Sequence, residues 1–287
     1  MPIESKIPTE EINIKELSIN QGETEKVGTF DAEKEITKSD WEKMQKEFND
    51  YRSENIWSLV PSMAVDMKIL NPKSAPQLSE QEWHVLKSRF MEAHEHVRDE
   101  GGSSPSVKWH NLVDDAADLK ILDQSWDPEF TAEDWRDIKS QYISNRQASG
   151  RRPYWDLFSL IAQIKIVNPD FDLDLIEEDW SGIKRELKSG QKEEEWRGSV
   201  ANIAYSMKII NPDIDLDLKP EDWANMKAQL TILRKGSHAR EFAELAKKMK
   251  VLASPKVSIP RAGILELAPL HTDLSKPQKI LPEIKKF

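Results

Sequence analysis

Three residues spaced four apart, His110, Asp114 and Asp118, form the clearest local arrangement for metal chemistry in this sequence. On an α-helix, residues at this spacing share one face, so an imidazole and two carboxylates would point the same way. Such a set of ligands could hold a divalent cation. A solvated polar face opposite the apolar Leu112 and Ala116 explains the same spacing, and we predict no metal site.

Aspartate alternates with other residues over 170–174 and over 213–217, which is how a calcium-binding loop begins. An EF-hand loop also needs glycine at position 6 and glutamate at position 12. In the first stretch these positions hold Leu175 and Ser181, and the second stretch fails at the same two places. We therefore interpret both stretches as extended connectors with one buried face.

The sequence offers no local signature of catalysis. We find no Ser-His-Asp set and no phosphate-binding glycine loop, and the 6 histidines follow no regular pattern. The chain has no cysteine, which excludes a thiol nucleophile and a disulfide framework and is compatible with a reducing cytosol. We predict that the protein is not an enzyme and uses no catalytic residue, cofactor or metal.

Positive charge gathers near two expected inter-helix turns. We predict a partner-binding role for the five basic residues there: Arg146, Arg151, Arg152, Arg234 and Lys235. The formal net charge of −10 repels a polyanion on average and favours a basic partner. Base stacking would need exposed aromatic rings, which we expect to be buried, so nucleic acid is disfavoured as the partner.

A fivefold pattern describes the elements that position these residues. Each copy has tryptophan preceded by an acid and followed by an apolar or aromatic residue three and seven positions later: Trp41, Trp83, Trp135, Trp180 and Trp223. This spacing is one face of an α-helix, named helix A here. In three copies a hydroxyl residue stands three positions before the acid, at Thr37, Ser79 and Thr131, which predicts a capping box at the helix start. We expect the five tryptophans to be core residues.

A second helix, helix B, follows each helix A. It is marked by one lysine per copy, the lysine ladder: Lys68, Lys120, Lys165, Lys208 and Lys250. Apolar residues eight, four and one positions before each lysine share a helical face. The lysines could interact with the helix dipole, pair with the acid before tryptophan in an adjacent repeat, or bind an acidic partner.

The pattern divides the chain into five repeats and two flanks. The predicted repeats are 37–78, 79–130, 131–175, 176–218 and 219–253. One repeat cannot bury its own apolar faces, so the repeats must stack. We predict an all-α, right-handed, solenoid-like stack of five helix-turn-helix repeats with short extended connectors. Residues 1–36 are predicted to be an acidic, mostly flexible arm, and 254–287 an irregular segment with one short strand.

The Asp-Trp motif of helix A and the Met67-Lys68-Ile69-Leu70 motif of helix B are similar to helical-hairpin arrays in uncharacterised bacterial proteins, over roughly residues 37–253. The period and the helical pairs also resemble HEAT and armadillo repeats. The proline and charged positions that mark those two families are not found here. The resemblance implies a helical repeat fold and assigns no functional residue.

These observations predict a soluble, cytoplasmic, non-catalytic scaffold that binds another protein along an extended surface. No run approaches the roughly 18 apolar residues needed to span a bilayer, and we expect no membrane association. Two alternatives remain open. One is a nucleic-acid-associated scaffold that uses the basic turns, and the other is an enzyme in which the stack closes around a polar pocket. Oligomeric state is not indicated.

Overall fold

The computed structural model describes residues 30–99, 105–148, 154–192, 200–236 and 238–254. Within those ranges the chain forms eleven α-helices and no strand, which confirms the all-α prediction. After the single turn α1 (Ala32–Glu35), the A helices are α2 (Lys38–Ser53), α4 (Glu80–Asp99), α6 (Ala132–Ala148), α8 (Glu177–Lys192) and α10 (Pro220–Lys235). The B helices are α3 (Val60–Leu70), α5 (Pro105–Leu122), α7 (Tyr154–Val167), α9 (Ala201–Ile210) and α11 (Ala239–Ala253).

The flanks extend beyond the described ranges. The predicted C-terminal strand and residues 1–29 of the predicted arm lie outside them. The last part of the arm, 30–36, contains α1, and Phe30, Ala32 and Ile36 are buried in the core. The packed structure therefore already includes residue 30.

Capping boxes begin the A helices where the sequence predicted them. Thr37 Oγ1 accepts a bond from the backbone N–H of Asp40 at 3.2 Å, and Asp40 Oδ2 accepts one from the N–H of Thr37 at 2.9 Å. The same exchange joins Ser79 to Glu82 and Thr131 to Asp134. Each pair satisfies two backbone donors that a helix start leaves unbonded.

The five acids before the tryptophans are deeply buried. They are 2–9 % exposed, namely Asp40, Glu82, Asp134, Asp179 and Asp222. Of the five helix A tryptophans, Trp223 is buried. The other four are half-buried and pack against the core. The residues three and seven positions after each tryptophan are all buried and form the deepest part of the helix A contact.

The five B helices contact one another in a closed cycle. Helix α3 packs on α5, α5 on α7, α7 on α9, α9 on α11, and α11 returns to α3. Each A helix packs on the B helix of its own repeat, and α2 also contacts α11. The repeats therefore form a ring with B helices inside, and repeat 5 lies beside repeat 1. The solenoid-like stack that we predicted is not confirmed, because repeat 5 contacts repeat 1 and an open solenoid has no contact between its ends.

The lysine ladder connects helix ends through backbone carbonyls. Lys68 Nζ donates to the carbonyl oxygens of Ile121 and Leu122 at the end of α5, at 3.0 and 2.8 Å. Lys250 Nζ donates to the carbonyl oxygen of Leu70 at the end of α3, at 2.8 Å. The same kind of bond thus joins repeat 1 to repeat 2 and repeat 5 to repeat 1. The other three lysines bond to the connector that follows their own helix.

A second set of contacts, called latches here, joins the ends of the A helices α2, α4, α8 and α10 to the buried acid of the next repeat. The residue eleven positions after the tryptophan is Arg52, His94, Arg146, Gln191 or Arg234. Arg52 pairs with Glu82, and Gln191 Nε2 donates to Asp222 Oδ2 at 3.1 Å. Arg234 Nε lies 3.0 Å from Asp40 Oδ2, which closes the ring. Arg234 also donates to the carbonyl oxygen of Glu35 at 2.6 Å.

Repeat 2 builds its latch from two residues. His94 Nε2 lies 3.2 Å from Asp134 Oδ2, and Arg98, one turn later, reaches the same carboxylate with Nε at 2.8 Å. The imidazole is surrounded by aromatic rings, with the Phe130 centroid 5.2 Å away. Burial and the Arg98 charge lower the pKa of His94 despite Asp134, so the ring is neutral at pH 7.

No helix in the described part of the chain is both long enough and apolar enough to cross a membrane.

Ring closure can be tested with spin labels, since the chain has no native cysteine. Lys46 and Lys235 line one crevice between repeats 1 and 5, whereas Arg136 is exposed on α6 of repeat 3. We expect double electron–electron resonance to give a shorter distance for labels at Lys46→Cys and Lys235→Cys than at Lys46→Cys and Arg136→Cys. An open stack gives the opposite order.

The closing latch should contribute to stability. In Arg234→Ala, the carboxylate of Asp40, 3 % exposed, loses its cationic partner. We expect the free energy of unfolding in urea to fall by roughly 1.5–3 kcal/mol, the range for a hydrogen bond to a charged group. The control Arg136→Ala removes an exposed arginine and should change it by no more than about 0.5 kcal/mol. Equal effects of the two substitutions would contradict a stabilising latch.

Candidate functional site

The ring of B helices surrounds a cavity of about 280 Å³, called the lumen here. Every B helix contributes side chains to its wall, and every A helix is excluded from it. This volume lies just below the roughly 300–1,000 Å³ that ligand pockets occupy. The lumen is therefore large enough for a small organic molecule.

Most of the wall consists of two layers, each built from one sequence position per repeat. The upper layer stands six positions before the ladder lysine and contains Ser62, Asp114, Ser159, Asn202 and Glu244. The lower layer stands two positions before that lysine and contains Asp66, Asp118, Gln163, Ser206 and Lys248. Ala162, Tyr205, Arg240 and Lys247 complete the lining. All ten residues of the two layers are polar, although the B helices are otherwise mainly apolar.

The two layers differ in their exposure to water. In the upper layer Asp114 is exposed, and the Glu244 side chain is 43 % exposed. In the lower layer Asp66, Ser206 and Lys248 are buried. The lumen thus opens near the N-terminal ends of the B helices and has its floor toward their C-terminal ends.

The floor contains a buried ion pair across the closing contact between α3 and α11. Lys247 Nζ lies 2.5 Å from Asp66 Oδ1. Lys247 also faces the Tyr205 ring, with Nζ 5.6 Å from the centroid. Burial opposes the charge of Lys247, but Asp66, Tyr205 and Asp118 outweigh it and raise the lysine pKa. Lys247 is therefore a fixed positive charge at neutral pH.

A second ion pair lies within α11, where Lys248 Nζ is 2.5 Å from Glu244 Oε1. The two lysines of the lumen are thus each neutralised by one carboxylate. Burial raises the pKa of Tyr205 to about 12, so the phenol stays protonated and can donate a hydrogen bond.

Two carboxyl groups on α5 have no cationic partner of this kind. Asp114 Oδ1 accepts a bond from Gln163 Nε2 of α7 at 2.5 Å. For Asp118, no hydrogen bond or ion pair is found among the described residues. Burial raises the pKa of both, and the charge of Asp114 raises that of Asp118 further, well above its usual value. The Asp114 side chain is exposed to the lumen. The helices around the lumen still shield it from most of the solvent, and this burial raises its pKa.

The metal hypothesis for His110, Asp114 and Asp118 receives no geometric support. The two aspartates face the lumen together, as the helical spacing predicted, but His110 is not part of the lining. Among the described residues, no group of three or more histidine or acidic side chains is placed to hold a metal ion.

The five residues predicted to bind a partner are only partly described. Arg234 forms the closing latch, and Lys235 is exposed beside it. Arg151 and Arg152 lie outside the described residues, as does the side chain of Arg146. Their role in partner binding stays a prediction.

The aspartate stretches 170–174 and 213–217 shape the connectors after α7 and α9. Asp172 Oδ1 accepts from the N–H of Asp174, and Asp215 Oδ1 from the N–H of Asp217, at 3.0 and 2.9 Å. Asp174 and Asp217 have positive φ angles of 45° and 50°. These bonds define turns in which an aspartate side chain takes the place of a backbone acceptor. Aspartate at these places is therefore explained by backbone geometry.

A larger crevice of about 550 Å³ lies between α2 and the α10–α11 turn. All of its charged residues except the exposed Lys235 bond to other groups of the protein. Lys46 Nζ lies 2.6 Å from Asp50 Oδ2, and Lys43 Nζ donates to the carbonyl oxygen of Arg234 at 2.8 Å. The lumen is the stronger candidate site, because its Asp118 has no such partner.

No protein-family model, curated protein or solved structure matches the chain.

Sequence reasoning missed the lumen as a whole, although the signal was present. The apolar positions of helix B were aligned across repeats, but the polar positions were not. Aligned on the ladder lysine, the positions at −6 and −2 are polar in all five copies. Five polar residues in the same register predict that the B helices share a polar interior, provided that the helices form a ring.

The raised pKa of Asp118 predicts a pH-dependent penalty on folding. A carboxyl whose pKa is higher in the folded state stabilises that state at low pH and loses this contribution as pH rises through the folded pKa. Asparagine cannot ionise. We expect Asp118→Asn to unfold at higher urea concentration than the wild type at pH 7, with the difference shrinking toward about pH 4, the ordinary pKa of aspartate.

The matched control for this measurement is Asp137→Asn on the exposed face of α6. It should leave the urea midpoint unchanged at both pH values. A loss of stability in Asp118→Asn at pH 7 would contradict the inferred penalty.

Proposed function

We propose that the protein binds a small polar molecule in the lumen. The observation that carries this proposal is the pair of five-residue polar layers around a cavity that the ring encloses. Ligand sites are commonly concave, and they often lie between helices of a bundle. Here five helices converge on one cavity and supply hydroxyl, amide, carboxyl and ammonium groups together.

A purely structural role explains the polar layers poorly. Burying polar groups costs free energy, and replacing a buried ion pair by well-packed apolar residues is often neutral or stabilising. Apolar residues at the same ten positions would give five packed helices a filled core. A protein selected for stability alone has no reason to keep Asp66, Asp114 and Asp118 around an open volume. Ligand binding supplies such a reason.

The sequence-based function, protein binding along an extended surface, depended on an open stack. In the ring the ends of the stack contact each other, so an open stack no longer supports the prediction of protein binding. Protein binding itself stays a prediction. The lumen corresponds to the polar pocket of the enzyme alternative. We propose binding alone and assign no reaction to the groups of the lumen.

A blocked lumen tests the proposal. Ser159 lies in the upper layer on α7, and Ser159→Leu places apolar bulk in the cavity. We expect a set of small polar fragments to give saturation-transfer NMR signals with the wild type and to lose them with Ser159→Leu. Overpacking typically costs 1–3 kcal/mol, so circular dichroism and a melting curve must show that the variant is folded.

Ser140→Leu is the control, since Ser140 is exposed on α6 outside the lumen. It should retain every fragment signal. Signals that survive Ser159→Leu would place binding elsewhere and overturn the proposal. So would a wild-type protein to which no fragment binds.

A further inference from the structure

We propose that the molecule bound in the lumen carries an ammonium group, and that this group binds between Asp114 and Asp118 of α5. This inference rests on the proposed function, because it names the chemical class of the ligand for the same cavity. It follows from the charges that the lumen leaves uncompensated.

The lumen contains four carboxyl groups and three cationic groups. Asp66 pairs with Lys247 and Glu244 with Lys248, each at 2.5 Å. Asp114 and Asp118 remain without an ion pair in the described part of the chain, and the charge of Lys247, already paired with Asp66, only partly offsets the effect of burial on their pKa values. The wall formed by α5 therefore presents two carboxyl groups with no directly paired cation.

The arrangement of the two carboxyl groups suits one cation. They stand one helical turn apart on the same face, so their side chains are neighbours. Asp114 Oδ1 is already held by Gln163, which orients the carboxylate and leaves its other oxygen for a ligand. A primary ammonium has three donors, enough to bond both carboxylates and one further acceptor.

The floor of the lumen also favours a cationic ligand over an anionic one. Asp66 is 2 % exposed and forms an ion pair with Lys247, whose Nζ lies 2.5 Å from Oδ1. An anion, by contrast, finds both lysines of the lumen already paired.

The size and lining of the cavity favour an organic cation over a bare metal ion. A volume of about 280 Å³ far exceeds one ion. The remaining wall offers the hydroxyl groups of Ser62 and Ser159 and the amide of Asn202, which can bond polar groups on the ligand skeleton. Burial raises the pKa values of Asp114 and Asp118, and an ammonium bound between them would favour their ionised form.

Three four-carbon probes of matched length test the inference: 1,4-diaminobutane, 1,4-butanediol and succinate. NMR titration at pH 7 should give at least tenfold tighter binding of the diamine than of the other two. Asp118→Asn and Asp114→Asn should each weaken diamine binding at least tenfold and leave weak diol binding unchanged. Two independent variants keep the test valid where one fails to fold.

Asp115→Asn is the matched control, because Asp115 stands beside Asp114 on α5 and does not line the lumen. It should bind the diamine as the wild type does. Equal loss in Asp115→Asn would show a general charge effect and overturn the inference.

Other outcomes separate this inference from the proposed function. Diol or succinate binding that Ser159→Leu abolishes, at an affinity equal to or above that of the diamine, overturns the ammonium assignment and leaves lumen binding intact. Calcium binding that competes with the diamine and is tighter than it overturns the organic cation in favour of a metal. If Ser159→Leu abolishes no signal at all, the proposed function fails and the inference with it.

Discussion

The latch between the end of one A helix and the buried acid that begins the next is the contact on which the ring depends. The acid has two tasks: it caps its own helix, and the same carboxylate receives the latch from the preceding repeat. Because it is nearly inaccessible to water, the carboxylate needs both sets of bonds. A cyclic arrangement gives every repeat, including the first, a neighbour that supplies the latch.

An open stack would leave this requirement unmet at one end. Asp40 begins the first A helix, and its latch comes from Arg234 in the last repeat, 194 positions along the chain. Repeat arrays that stay open usually change the sequence of the terminal repeat to make it polar outside. Here repeat 1 keeps the buried acid, the half-buried tryptophan and the apolar face of the internal repeats. The structure explains this: no repeat is terminal.

Ring closure also creates the lumen. Helix B is covered by A helices on one side and by neighbouring B helices on two more, so only the side that faces the ring centre remains. With five helices around it, the centre is too wide for small side chains to fill, and polar groups are tolerated because water reaches the upper layer. Latch, ladder and lumen are therefore formed by different positions of one repeated sequence, the latch on the A helices and the other two on the B helices.

The sequence by itself determined the local structure. The capping boxes at Thr37, Ser79 and Thr131, the existence of ten long helices, and the shared helical face of Asp114 and Asp118 all follow from spacing, because capping and helical periodicity act within a few residues. The tertiary structure decided which helices meet. Whether five identical hairpins extend or close depends on the small rotation between neighbours, which accumulates over the whole array and is encoded in no single motif. That rotation brings Arg234 to Asp40 and Lys247 to Asp66, and it converts the polar positions of separate helices into the wall of one cavity.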